Sequence, residues 1–135
     1  MLWLLLDRSV WSYDPSWYGE ETLRIWSLFA EGRWSDWYKA MIGVFGFKAP
    51  GIVWLGQWFV PLGVLTDRME LSLALVSVTS AVVTVAAVGV AAHRLWPERQ
   101  SSALLAMLAC ASAPLFLGLS VTYFVESLQT ALVAL

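Results

Sequence analysis

Charge is what this sequence has least of. Charged residues make up 13% of its 135 positions against 59% hydrophobic ones, and the mean hydropathy is +0.69. A soluble domain carries about 25% charged and about 45–50% apolar residues, and a fold of this size has too much surface to cover with so few charges. The composition therefore predicts that much of the surrounding solvent is lipid. Eight Lys and Arg against ten Asp and Glu leave a net charge of −2, and no basic run is present. Nucleic acid is excluded as a partner on that ground, because nothing supplies its phosphate contacts. The single cysteine, Cys110, sits in an apolar run, which rules out a disulfide pair or a cysteine metal cluster. It reads as a small buried apolar residue.

What is abundant is tryptophan. There are nine, and Trp3, Trp11, Trp17, Trp26, Trp34, Trp37 and Trp54 all precede residue 55. The indole is dry over its ring and wet at its N–H, so tryptophan gathers where membrane meets water. The front of the chain is thus expected at the interface and the back across the bilayer. Residues 1–6 are apolar but far short of the roughly 20 that a span needs. They lack the basic start of a secretory signal and read as the end of a truncated first span.

Residues 7–70 hold most of the charges and read as a large extracytoplasmic loop. Within it, 16–31 has a helical pattern. At about 100° per residue Glu20, Arg24, Ser27 and Glu31 share a narrow arc, while Leu23, Ile25, Trp26, Leu28, Phe29 and Ala30 cover much of the remainder. Glu20 and Arg24 are spaced for an i,i+4 ion pair in the favourable order. This predicts a helix lying along the interface, ended by Gly32. The run 51–65 is apolar, short and punctuated by Gly51, Gly56, Gln57, Pro61 and Gly63. A second interfacial helix is expected there.

Residues 71–92 are uncharged and, at about 1.5 Å per residue, reach about 33 Å, enough for the hydrocarbon layer. A polar turn follows at 93–100, with His93 as a solvent-facing residue. A second uncharged span, 101–123, comes next, with Pro114 expected as a tolerated kink. The tail, 124–135, carries Glu126 in an outer loop and then the start of a truncated span. Short basic loops favour the cytoplasm, so Arg94 and Arg99 put 93–100 inside and both residues 7–70 and Glu126 outside. The expected fold class is all-α: a polytopic transmembrane helical protein, and the amino-terminal piece of a larger one.

The residues that bear chemistry cluster in two places, Ser12-Tyr-Asp-Pro-Ser-Trp-Tyr-Gly-Glu-Glu at 12–21 and Lys48-Ala-Pro at 48–50. Read by themselves they have structural explanations. Asp14 before Pro15 fits an N-cap with proline at the first helical position. Lys48 fits an interfacial anchor, and Glu126 fits a charge flanking a span.

Their order along the chain nevertheless resembles the opening of GT-C class membrane glycosyltransferases, the group of the protein O-mannosyltransferases, the lipid A aminoarabinose transferases and the RgtA/B/C/D-like family. Asp14, Tyr18 and Glu20 match that group's acidic and tyrosine element. Gly32-Arg33-Trp34 matches its Gly-x-Trp, Lys48-Ala49-Pro50 its Lys-Pro-Pro, and residues 52–58 the aromatic helix after it. Phe124-Val125-Glu126 stands where its second acid lies. Pro15, Ala49 and Glu126 depart from the commoner acid, proline and aspartate.

The resemblance implies a bacterial inner or plasma membrane enzyme that acts at the extracytoplasmic face of the cell envelope. Its donor would be a sugar on a polyprenyl phosphate, transferred with inversion as a hexosyl or pentosyl group. Asp14 would be the catalytic base, which must hold an ionised carboxylate within about 3 Å of the acceptor hydroxyl. Lys48 would neutralise the departing phosphate. Tyr18, Glu20 and Glu126 would bind substrate. No cofactor is demanded by the sequence, although a divalent metal is compatible with Asp14 or Glu126. Membrane lipid is the other partner implied.

A non-enzymatic multi-span subunit or an inactive gene remnant is the alternative. Under it the same charges are anchors. A transporter fits less well, since both long apolar stretches lack the midplane ionisable residues that transport needs.

Overall fold

Two kinds of residue decide where this chain's helices stop: those that accept a left-handed backbone, and prolines. The structure is a computed structural model that describes residues 13–44, 50–123 and 125–135. Helices, and no strand, are found among the described residues. Residues 1–6, expected as the end of a span, lie outside them.

Helix α1, Tyr13–Ala30, and helix α2, Trp34–Gly43, form a hairpin. Gly32 makes the corner at φ 71°, a left-handed conformation that costs nothing without a Cβ. Its amide donates to the Phe29 carbonyl at 3.1 Å, and the Arg33 amide reaches back to Leu28 at 2.9 Å. Those two bonds satisfy carbonyls that a helix end would otherwise leave orphaned. The expected 16–31 helix therefore exists, begins three residues earlier, and ends at the glycine foreseen. The Glu20–Arg24 pair does not form: Arg24 bonds Glu21 instead, at 2.5 Å.

The second interfacial helix is two short ones, α3 at Gly51–Gly56 and α4 at Val60–Thr66. Pro61 accounts for the break. It cannot donate to the carbonyl four residues back and its ring collides with that carbonyl, whereas at the second position of α4 its missing N–H costs nothing. Across the gap the chain tightens into i→i−3 bonds, Trp58 to Leu55 at 3.2 Å and Phe59 to Gly56 at 2.8 Å. α4 ends on Asp67 with φ 53°, one of the few non-glycine types that visit this region.

Helix α5, Met69–Leu95, has 27 residues, about 40 Å at 1.5 Å per residue. It is the one described helix long and apolar enough by itself to cross a membrane. It extends beyond the expected 71–92 at both ends, so the polar turn shrinks to 96–99.

The second expected span is different. Helix α6, Gln100–Ser112, and helix α7, Pro114–Ser120, are bent by 69° at Ala113. Ala113 is extended (φ −64°, ψ 123°), as a residue before proline is driven to be. Pro114 thus acts as a break rather than the tolerated kink. Alone, α6 reaches only about 20 Å at 1.5 Å per residue; the pair makes a second span only if the bent unit crosses as one. The tail forms helix α8, Val125–Ala134.

α5 is the centre of the arrangement, with α4, α6 and α8 packed against it. Its buried positions are mostly small: Ser72, Ala74, Ser77, Ser80, Ala81, Thr84, Gly89 and Ala92. Small side chains let helices approach closely where apolar solvent gives no hydrophobic drive. The main core forms near the start of α5, where Ile25, Leu28, Ile52, Val53, Val60, Leu73, Tyr123 and Leu128 come together.

A Cβ on Gly89 would sit 2.6 Å from the Met107 sulfur and 2.8 Å from its Cγ. Methionine can swing away from a methyl but not from a branched chain. Gly89→Ala is therefore expected to be tolerated, whereas Gly89→Ile should destabilise by about 1–3 kcal/mol. Thermal unfolding in detergent micelles, followed by circular dichroism, distinguishes the two.

Candidate functional site

The chemistry that the resemblance implies uses two acids far apart in sequence, so the geometry that matters is what joins their segments. α1 turns Tyr18, Thr22 and Ile25 inward. Trp17 stacks edge-on against Tyr18, with ring centroids 5.2 Å apart. Thr22 is wholly buried despite its hydroxyl, and the reason lies 101 residues away: its Oγ1 meets the Tyr123 hydroxyl at 2.8 Å. Tyr123, also wholly buried, reaches the Ile52 carbonyl at 2.7 Å, while Thr22 reaches its own helix at the Tyr18 carbonyl, 2.7 Å away.

Two hydroxyls hold two protons for these three links. Carbonyls only accept. The carbonyl of Tyr18, inside α1, has the amide four residues on as a helical partner. The economical order is therefore Thr22 donating to Tyr123 and Tyr123 donating to Ile52.

Tyr123 stands three residues before Glu126. One Glu126 carboxylate oxygen is buried with no hydrogen-bond partner, in the first turn of α8, where the helix amides favour negative charge. Of the other expected site residues, Tyr18 is in the core at 3% exposure and Glu20 faces outward. Asp14 falls in the first turn of α1, with the helix already begun at Tyr13, so it is not the residue preceding the helix as a cap would be. Its side chain and the whole of Lys48 lie outside the described residues. The structure thus joins the helix of Asp14, Tyr18 and Glu20 to the approach to Glu126. It describes no meeting of the charged groups themselves.

A second network ties α2 to α3. Gln57 is 2% exposed. Its carbonyl oxygen accepts from the Trp37 indole at 3.0 Å, and its amide donates to the Trp54 carbonyl at 3.0 Å. The Trp54 indole in turn donates to Met41 O, also at 3.0 Å. These two tryptophans use their N–H groups inside the protein rather than at a headgroup layer. Phe29 packs at the centre of three more contacts, 5.0 Å from Trp34, 5.9 Å from Trp37 and 5.4 Å from Trp58. Composition gave Gln57 only as an interruption of an apolar run. A lone amide in such a run was the available signal for a buried network.

On the outer side of the hairpin, Arg33 holds Asp36 at 2.8 Å and Glu31 at 3.4 Å. The hydrogen bond to Asp36, then that to Glu31, raises the Arg33 guanidinium above its ordinary value. Among the described residues no three His, Cys, Asp or Glu side chains come together. In comparisons with known proteins no family model, no curated protein and no solved structure matches the chain.

Gly56 completes the node, because a Cβ there would overlap the Tyr123 hydroxyl and touch the Thr22 methyl at 3.0 Å. Gly56→Ala should destabilise by about 1–3 kcal/mol through overpacking. Tyr123→Phe should cost a similar amount, about 1–3 kcal/mol, by leaving buried partners unsatisfied. Since the phenylalanine removes the colliding oxygen, the double variant should cost at least about 0.5 kcal/mol less than the sum. Strict additivity in a thermal-unfolding cycle would show that the two groups do not share this space.

Proposed function

We propose that the chain is part of a polytopic membrane glycosyltransferase of GT-C type, which moves a sugar from a polyprenyl phosphate to an acceptor at the extracytoplasmic face. The observation that carries the reading is the Thr22–Tyr123–Ile52 node. The two acids the resemblance singles out belong to segments 112 positions apart in the sequence. A transferase of this kind needs them beside one another on one side of the bilayer. The node ties α1, in which Asp14 begins, to the residues just before Glu126. The long apolar helix α5 supports membrane attachment, and the unpartnered oxygen of Glu126 supports a carboxylate kept for a ligand.

In this mechanism Asp14 takes the proton of the acceptor hydroxyl as that oxygen attacks the anomeric carbon. The bond from that carbon to the lipid phosphate breaks, its electron pair leaves with the phosphate, and the configuration inverts. Lys48 balances the charge that develops on the leaving group. Glu126 orients the acceptor. Tyr18, being buried, acts by holding α1 in place, and Glu20 stands at the aqueous edge. A non-enzymatic subunit is the competing reading; under it Asp14 is only part of a helix start.

Asp14→Asn in the intact protein is the deciding variant. A general base contributes roughly 10²–10⁴-fold to rate, so transfer of radiolabelled sugar from membrane polyprenyl phosphate should fall by about that factor. Membrane insertion should be unchanged. Unaltered transfer would remove Asp14 from the base role.

A further inference from the structure

Helix α2 has three faces, and each has a different neighbour. Ala40 and Val44 turn into the core, with Trp37 and Met41 packed beside them. Trp34, Tyr38 and Ile42, four residues apart, stand out at 58%, 61% and 49% exposure. The third face carries Asp36 and Lys39 and lines a cavity of about 780 Å³, whose other wall includes Glu21, Arg24 and Leu28 of α1, with Arg33 at the corner. That volume lies within the usual range of about 300–1,000 Å³ for small-molecule sites.

The charges of the groove are not all paired. Glu21 is held by Arg24 at 2.5 Å and Asp36 by Arg33 at 2.8 Å. Lys39 has no such partner among the described residues. Glu31, outside the lining, also reaches Arg33 at 3.4 Å, so the groove's one ammonium without an ion-pair partner among the described residues is Lys39, at the border of an exposed aromatic stripe. Aromatic side chains of this kind sit at the headgroup level of a bilayer, and a lysine beside them suits a phosphate as a point charge.

We propose that the groove between α1 and α2 seats the headgroup of an anionic phospholipid, with Lys39 as counter-charge to its phosphodiester and Trp34, Tyr38 and Ile42 alongside the acyl chains. Selectivity follows from the bases already present. A zwitterionic headgroup would bring its own cation beside the unpaired Lys39, and that repulsion disfavours it. An anionic lipid brings no such charge. The site is separate from the proposed transfer chemistry, shares none of its residues, and depends only on the chain lying at a membrane.

The test uses the full chain in nanodiscs of equal parts phosphatidylcholine and phosphatidylglycerol, released into native mass spectrometry. The wild type is expected to retain one phosphatidylglycerol in preference to phosphatidylcholine. Lys39→Gln should lower that retention about five-fold, the effect of one basic residue at an anionic surface, whereas Lys39→Arg should keep most of it. Gly43 also lines the groove, and a Cβ there meets nothing within 4 Å. Gly43→Asp therefore adds an acid without steric cost and should reduce retention as Lys39→Gln does. Arg94→Gln, far along α5, should leave it unchanged. Inorganic phosphate in large excess should not displace the lipid. Equal retention of the two lipids, full retention by Lys39→Gln and Gly43→Asp, or displacement by free phosphate would each overturn the proposal.

Discussion

The arrangement turns on a phenol that water does not reach. Tyr123 buries a hydroxyl that is expensive to leave unpaired away from solvent, and two partners meet it from segments 101 and 71 residues distant. A hydrophobic contact would let these segments slide. A hydroxyl with two short links and a glycine-sized recess at Gly56 admits one register. Because the helices that meet there are otherwise packed through small or apolar side chains, this polar node is where their relative position is specified rather than merely allowed. The start of α8 is held beside α1 as a consequence, and α3 is caught between them.

The same demand for paired polar groups explains how the chain tolerates its breaks. A broken helix leaves carbonyls without their usual amides, and where they are buried away from water other groups must satisfy them. At the first break the Ser72 hydroxyl, from the start of α5, donates to the Phe59 carbonyl. At the end of α7 the Ser127 hydroxyl, from α8, donates to the Leu119 carbonyl at 2.7 Å. Each serine thus ties a neighbouring helix to the end of a short one: the Phe59 carbonyl also accepts from the Leu62 and Gly63 amides, and Leu119 lies in the last turn of α7, past the break at Ala113. Within α5 itself Ser80 and Thr84 bond back to the carbonyls of Val76 and Ser80 at 2.8 and 3.0 Å, so these buried hydroxyls need no partner from another helix.

What could be read in the sequence was what one element decides alone. The amphipathic arc over 16–31, the stop at Gly32 and the long uncharged stretch in α5 are local patterns, and the structure contains each of them. Pro61 and Pro114 were visible, but whether each gives a kink or a full break depends on packing against helices remote in sequence, which no local pattern carries. Arg24 had two acids within reach on its helix, Glu20 and Glu21; spacing favoured the first and the hairpin's geometry selected the second. Thr22 and Tyr123 carried no signal, since a threonine on a helix and a tyrosine ending an apolar run are each ordinary. Tyr18 was legible as part of a motif, while its burial was not, because tyrosine suits a core and a ligand site equally.

Two buried oxygens among the described residues lack a partner, those of Ser77 and Glu126. They differ in what they imply. A hydroxyl can turn its proton toward a carbonyl of its own helix at little cost, so Ser77 asks for little explanation. A carboxylate oxygen has no proton to offer when ionised, although the Glu126 side chain as a whole is only half-buried. The first-turn amides of α8 favour its charge without forming a bond to the buried oxygen. Glutamine at the same place would fill the space and avoid the charge. One carboxylate oxygen thus stays without a partner three residues after Tyr123, the phenol of the most constrained node. That oxygen is the observation on which the proposed acceptor-orienting role of Glu126 rests.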